Sequence, residues 1–292
     1  MMIRMSRKRI VGFFISLSLI TVVSSCNLIN PDEKIPCYVK IDTSMVTFNT
    51  DYLTQGSAQQ KIKDVWAYMD GNLIGVYELP ALFPVIGDEG KHRFLFAPGI
   101  YDNGIASTHI IYRLMQGLET EISLINGATV SPSSKLGFQY FPGVTFSWKE
   151  DFENGSNSLA HISGDTLVRD NADAVEGYYG KISLNTSDPS FRFQMPDWVS
   201  IAPTSVSYLE MHYKCDQPFL IGLIGEKISG DLEAQIIYIN PSATWNKIYV
   251  SLGTGVRALN PALGYKLFFG STLGDGVQSA NFYFDNLKLV HD

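Results

Sequence analysis

The chain has 292 residues, with 22 basic and 29 acidic side chains and a formal net charge of −7. No basic cluster follows Arg9, and this composition excludes a nucleic-acid-binding protein, because binding to phosphates requires grouped lysine and arginine. Abundant aromatic and β-branched residues, separated by Gly, Pro, Asn and Asp turns, predict an all-β protein.

Residues 1–25 combine a basic start, an apolar run and small residues before a cysteine. The apolar run, residues 10–23, is too short to cross a bilayer and is typical of a secretory signal peptide. Its end, Val23-Ser24-Ser25-Cys26, resembles the lipobox of bacterial lipoproteins. The resemblance implies removal of residues 1–25 and attachment of lipid, including palmitate, to Cys26. The alternatives are a secreted protein with an incidental cysteine and an uncleaved anchor helix.

Residues 26–36 are mostly polar and are predicted to form a lipidated tether. The resemblance implies a membrane anchor in the cell envelope, at the outer membrane, and it leaves the periplasmic and surface faces both open. Several acyl chains give stable anchoring, since each buried methylene contributes about 0.8 kcal/mol.

Residues 37–142 are expected to form a β-sandwich. Within them, Val65, Ala67 and Met69 alternate with polar or aromatic residues, and Asp70-Gly71 is a hairpin turn signal. The segment resembles small transthyretin-like and PEGA-type domains, which implies a non-catalytic module. The matching residues are Asp70, Gly71, Gly75, Pro80, Gly90, His92, Pro98 and Gly99.

Pro142-Gly143 marks the predicted boundary with residues 143–292, where about eight short strand patterns predict a jelly roll of two packed sheets. The layout resembles galactose-binding-like jelly rolls, including many carbohydrate-binding modules. The residues that carry this resemblance are Asp151, Phe152, Glu153, Gly155, Trp245, Lys247, Val250, Leu252, Phe284, Asp285, Asn286 and Leu287.

A glycan ligand is expected on one face of the strand around residues 205–215. Leu209, Met211 and Tyr213 share one face and predict the core, so Tyr208, Glu210 and His212 should face outward. Such a face suits either water or a sugar. Trp198, in a Pro-flanked loop, is a further candidate for binding a ligand.

Glu153 and Asp285 are the candidate metal ligands. Related jelly rolls place a structural calcium between their first and last strands, and Ca²⁺ prefers carboxylate and carbonyl oxygens. The alternative is that both are solvated turn carboxylates. No cofactor is otherwise required.

No catalytic signature is present in the sequence. The acidic run Glu150-Asp151-Phe152-Glu153 puts neighbouring carboxylates on opposite faces of a strand, which does not suit the paired carboxyl groups of a glycosidase. Two functions stay open: a lipoprotein that binds glycan through its jelly roll, and an assembly lipoprotein that docks onto another envelope protein. Cys37 and Cys215 are expected to be separate buried thiols, with a disulfide as the alternative.

Overall fold

The computed structural model describes residues 33–155 and 157–292. The predicted signal peptide, Cys26 and most of the tether lie outside these residues. Within the described part of the chain, no helix has the length and apolarity needed to span a membrane.

The first half, residues 37–142, contains strands β1 to β11, a 3-10 helix at Thr43–Met45 and one short α-helix, α1. Their bounds are Cys37–Ile41 (β1), Val46–Phe48 (β2), Tyr52–Gln55 (α1), Asp64–Met69 (β3), Asn72–Glu78 (β4), Ala81–Val85 (β5), Gly90–Tyr101 (β6), His109–Ile111 (β7), Met115–Gln116 (β8), Leu118–Leu124 (β9), Thr129–Val130 (β10) and Leu136–Tyr140 (β11).

The second half, residues 143–292, contains strands β12 to β22 and helix α2. Their bounds are Thr145–Glu150 (β12), Ala160–Gly164 (β13), Val168–Asp170 (β14), Tyr179–Asn185 (β15), Ser190–Gln194 (β16), Ser207–Cys215 (β17), Phe219–Gly225 (β18), Leu232–Ile239 (β19), Ser242–Ser251 (β20), Gly253–Leu259 (α2), Tyr265–Thr272 (β21) and Ser279–His291 (β22).

In the first half, a sheet in the order β4-β3-β6-β7, with β9 also paired to β6, faces a smaller sheet in the order β10-β1-β5. The β3–β4 hairpin forms because Asp70 and Gly71 both adopt positive φ, 50° and 85°, which is the backbone of a type I′ turn. Strand β1 alternates buried and exposed residues, as a strand with one core-facing side should.

The second half is a jelly roll of two antiparallel sheets. The front sheet has the order β14-β15-β22-β17-β20, with β12 also paired to β22, and the back sheet has the order β13-β16-β21-β18-β19. Phenylalanines from both sheets fill the space between them, including Phe191, Phe269 and Phe284. The prediction of an all-β protein built from two β-sandwiches is confirmed.

The two halves pack directly against each other. Tyr208, Tyr249 and Val290 belong to the front sheet, but their side chains join the hydrophobic core of the first half. Cys37 and Cys215 are buried free thiols in the two separate cores, so the disulfide alternative is wrong. The division at Pro142-Gly143 and the transthyretin-like resemblance stay predictions.

Candidate functional site

The face of β17 predicted to bind a ligand is buried. Leu209 and Met211 point into the jelly-roll core, as the alternation predicts. Tyr208, Glu210 and His212 point the other way, but their exposed fractions are only 6%, 0% and 7%. The expectation of an open face is therefore wrong, because the first half of the chain covers it.

Glu210 lies at the centre of the contact between the two halves. Its Oε1 accepts hydrogen bonds from the hydroxyls of Tyr112, at 2.5 Å, and Tyr140, at 2.7 Å, both from the first half. Its Oε2 lies 2.9 Å from Nζ of Lys247, an ion pair without the alignment of a hydrogen bond. One buried carboxylate thus joins hydroxyls of one half to an ammonium group of the other.

The charges around Glu210 shift the pKa values of its neighbours. Burial alone raises the pKa of Glu210, but Lys247, Lys288 and the two tyrosine hydroxyls outweigh it and lower the pKa to about 2. Burial and the charge of Lys247 lower the pKa of His212 to about 2 and that of Lys288 to about 7. These groups are sealed from solvent, so the arrangement suits structural cohesion better than proton transfer to a substrate.

Trp198 lies in a different place from Tyr208. It is half-buried beside the back sheet, where Val199 bridges Tyr265, and Nζ of Lys266 sits 4.7 Å from its ring centroid. Tyr208 is on the outer face of the front sheet. The structure does not bring these two sequence candidates into one site.

The two predicted metal ligands, Glu153 and Asp285, lie near enough for the charge of Glu153 to affect the pKa of Asp285. Asp285 is buried, and neither of its carboxylate oxygens makes a regular hydrogen bond. Burial raises the pKa of Asp285 to about 8, against the backbone N–H groups of Glu176 and Asn286, which lower it, and with a smaller rise from the charges of Glu176 and Glu153. Glu153 accepts a hydrogen bond from the backbone of Tyr178 at 2.7 Å. Across residues 33–155 and 157–292, no three acidic, histidine or cysteine side chains converge as a metal-ligand group.

The acidic run that opens the second half has structural roles. Glu150 is buried and accepts hydrogen bonds from the backbone of Phe152, at 2.8 Å, and of Ser158. Asp151 accepts hydrogen bonds from the backbone of Glu153, at 3.1 Å, and from the hydroxyl of Tyr52, at 3.0 Å. These carboxylates close a turn and therefore do not form a free pair across a cleft.

The back sheet leaves its outer face open, and a groove of about 560 Å³ crosses it. The floor is a single row of residues paired across five strands: Ser163, Arg192, Gly270, Leu220 and Tyr238. With about 4.8 Å between neighbouring strands, the row extends about 19 Å. Glycine at its centre leaves the floor low, so an extended molecule can approach the backbone there.

Side chains fix both walls of this groove. On one side, the ring of Phe268 lies over Gly222, and the guanidinium of Arg192 extends from the floor row and stacks on that ring, 4.2 Å from its centroid. Arg192 also pairs with Glu233 at 2.6 Å, so its charge is compensated. On the other side, Oε1 of Gln217 accepts a hydrogen bond from the backbone of Gly274 at 2.9 Å, which ties two loops together.

Tyr238 gives the groove an exposed aromatic face. Its side chain is 59% exposed, although it lies on a regular strand. Sequence reasoning missed this groove because its floor depends on the register between strands far apart in the chain. The alternation in "AQIIYIN" was the available signal, but a bulge in the pairing of β18 with β19 interrupts it.

Comparisons with known proteins give structural likeness only. No family model and no curated protein matches the sequence. Similar solved structures include a xylan-binding domain of carbohydrate-binding module family 22, at 13% identity and a TM-score of 0.37, covering 51% of this chain and 96% of its own. A xylan-binding domain from Paenibacillus barcinonensis has 11% identity and a TM-score of 0.39, covering 50% and 94%.

A family 11 carbohydrate-binding module from Clostridium thermocellum, in complex with a mixed-linked tetrasaccharide, is a third such structure. It has 15% identity and a TM-score of 0.35, covering 48% of this chain and 94% of its own. At such identities and TM-scores, none of these structures transfers a ligand or a binding residue to this chain.

Proposed function

We propose that this protein is a lipid-anchored lipoprotein of the cell envelope that binds glycan, without catalysis, on the back sheet of its jelly roll. The observation that carries the proposal is the groove floored by the row from Ser163 to Tyr238. A jelly roll has two outer faces, and here the first half covers the part of the front face that carries Tyr208, Glu210 and His212. The predicted face of β17 is therefore closed to a glycan, and the back sheet offers an open groove instead.

The chemistry of the groove suits a neutral sugar chain. An exposed Tyr238 ring can stack on the apolar face of a sugar, as aromatic rings combine an apolar surface with a polar edge. Ser163 and Gln217 supply hydroxyl and amide groups for sugar hydroxyls. Because the groove is shallow and sugar hydroxyls are already hydrated, the expected affinity is modest.

The anchoring part of the proposal rests on the sequence. The apolar run of residues 10–23 followed by Val23-Ser24-Ser25-Cys26 supports lipid attachment at Cys26, at the outer membrane. We propose a role without catalysis because Glu150 and Glu210 are buried and accept hydrogen bonds from within the protein.

We also propose a structural Ca²⁺ next to Asp285 and Glu153. The support is the buried Asp285 carboxylate, whose oxygens lack regular hydrogen-bond partners, beside the also unpartnered Oε2 of Glu176. A hard cation with oxygen ligands would compensate these groups. Asp285 and Glu153 would be its protein ligands and would tie the turn after β12 to strand β22.

The test is binding of the full chain, in detergent, to a glycan array, followed by titration of the best glycan. Replacing Tyr238 with Ala should weaken binding about tenfold, or 1.4 kcal/mol, by removing the stacking surface. Because the ring is mostly exposed, stability should change little. Tyr38→Ala, at another exposed tyrosine on the first half, is the matched control and should bind normally. Absence of any glycan binding, or normal binding by Tyr238→Ala, would refute the proposal.

One observation favours the second candidate, an assembly lipoprotein that docks onto another envelope protein. Ile228 and Leu263 project from two neighbouring loops, and their exposed fractions are 95% and 65%. The loops are held together by a hydrogen bond from the backbone of Leu263 to that of Glu226 at 3.0 Å. Paired, exposed aliphatic side chains of this kind are typical of protein contacts. If no glycan binds, this surface becomes the one to test.

A further inference from the structure

A second groove, of about 650 Å³, lies at the junction between the two halves of the chain. The first half contributes Trp66, Ile110 and Arg113, and the second half contributes residues 204–208 and Arg257. This volume is in the usual range for small-molecule sites, about 300–1,000 Å³. The groove exists only because the two halves pack together, and it is separate from the groove on the back sheet.

Arg113 and Arg257 are the charged residues of this groove, and no carboxylate lines it. Within the described residues, neither guanidinium lies within ion-pair distance of an acidic side chain. The chain as a whole has seven more acidic than basic side chains. The carboxylates of Asp102 and Asp292 bond to lining residues without lining the groove, so the charges on the groove surface itself are the two arginines.

Hydrogen bonds across the junction hold the walls of the groove together. The hydroxyl of Tyr208 donates to Oδ1 of Asp102 at 3.1 Å. The backbone N–H of Ser251 donates to Oδ1 of Asn103 at 2.8 Å, and that of Asn103 donates to the carbonyl of Tyr249 at 3.0 Å. The two arginines are thus presented by elements whose relative position is set before a ligand arrives, which reduces the entropic cost of binding.

The rest of the lining mixes hydrogen-bond donors with an apolar surface. Ser207 borders the groove, but it precedes Tyr208 on β17, so its side chain lies on the same side of the sheet as Leu209. Beside it, the hydroxyl of Thr204 and the indole ring of Trp66 complete the lining.

We propose that this junction groove binds a saccharide that carries carboxylate or sulfate groups. An arginine fork matches the two oxygens of such an anion, and the paired donors give orientation as well as attraction. The indole of Trp66 covers the apolar face of the sugar ring, and the hydroxyl of Thr204 is available to its hydroxyl groups. An acidic peptide fits less well, because the β7 edge beside the groove is only three residues long and is a poor template for an added strand.

The test titrates the full chain, in detergent, with four probes: oligogalacturonate for carboxylate, dextran sulfate for sulfate, neutral dextran, and polyglutamate. We expect one or both acidic saccharides to bind, the binding to weaken steeply with salt, and neutral dextran and polyglutamate not to bind. Arg113→Gln and Arg257→Gln should each weaken binding about tenfold, and the double variant should abolish it. Both side chains are exposed, so these variants should fold.

Two controls separate this site from general charge effects and from the back-sheet groove. Arg93→Gln removes an exposed arginine paired with Glu119 elsewhere and should bind the acidic saccharide normally. Tyr238→Ala should also bind it normally. The proposal is wrong if neither acidic saccharide binds, if the double variant binds as well as the unmutated chain, or if polyglutamate is bound in preference.

Discussion

Replacing Glu210 with Gln should destabilise the protein strongly. Glutamine keeps the shape of the side chain and can still accept from Tyr112 and Tyr140, but it leaves the buried ammonium groups of Lys247 and Lys288 without their counter-charge. Removing one partner of a buried ion pair costs about 3–5 kcal/mol. For a protein of this size, each 1 kcal/mol corresponds to roughly 2–4 °C, so the melting temperature should fall by about 6–20 °C.

The measurement is urea unfolding at pH 7, followed by circular dichroism. Glu121→Gln is the matched control, because Glu121 forms an exposed pair with Lys91 at 3.2 Å, and its loss should cost no more than about 0.5 kcal/mol. Adding Lys247→Met to Glu210→Gln should recover part of the loss, since the double variant no longer buries that unpaired charge. The reasoning fails if Glu210→Gln costs less than about 1 kcal/mol, or if the two substitutions are simply additive.

The effect should also depend on pH. The pKa of Glu210 is lowered on folding from 4.5 to about 2. Its contribution to stability is therefore fully present above pH 4.5 and is lost as the pH falls toward 2, because the unfolded state takes up the proton first. As the pH falls from 4.5 toward 2, the stabilities of the unmutated chain and of Glu210→Gln should converge. A gap that stays constant down to pH 2 would contradict this assignment.

Three further predictions follow from other groups. Burial lowers the pKa of Lys288 from 10.5 to about 7. Between pH 7 and pH 10.5 the unfolded state binds more protons than the folded state, so stability should rise with pH across that interval. Lys288→Met should flatten this rise, and a rise that persists in the variant would exclude Lys288 as its cause. Calcium at a hundredfold excess over its Kd should stabilise the protein by about 2.7 kcal/mol, and Asp285→Asn should remove this effect. If calcium does not stabilise the unmutated chain, there is no calcium site at Asp285. Cys26→Ser should accumulate unprocessed precursor and stop incorporation of labelled palmitate, and continued labelling would show that Cys26 is not the lipidation site.

The elements of the jelly roll could be predicted because each strand carries its own local pattern. The alternation of Leu209 and Met211 against Tyr208 and Glu210 correctly separates the two faces of β17. In the same way, Asp70-Gly71 identifies the turn of the β3–β4 hairpin, since few other residues adopt positive φ there. Patterns of this kind involve only residues that are neighbours in the chain, so a single sequence is enough to recognise them.

The burial of Glu210 could not be predicted in this way. An outward-facing Tyr, Glu and His look the same in sequence whether they meet water or another part of the protein. What covers them is Tyr112 and Tyr140, 98 and 70 residues away in the chain. The row that floors the back-sheet groove is likewise a product of register between distant strands, which no local pattern encodes.

The position of β22 has a consequence for how the jelly roll is completed during synthesis. This strand follows every other strand of the front sheet in the chain, yet it lies inside the sheet and pairs with β12, β15 and β17. Until Ser279–His291 has emerged, those three strands each present an unpaired edge, and such edges are prone to pairing with other chains. A nascent or truncated chain that lacks only this segment would therefore depend on chaperones to stay soluble.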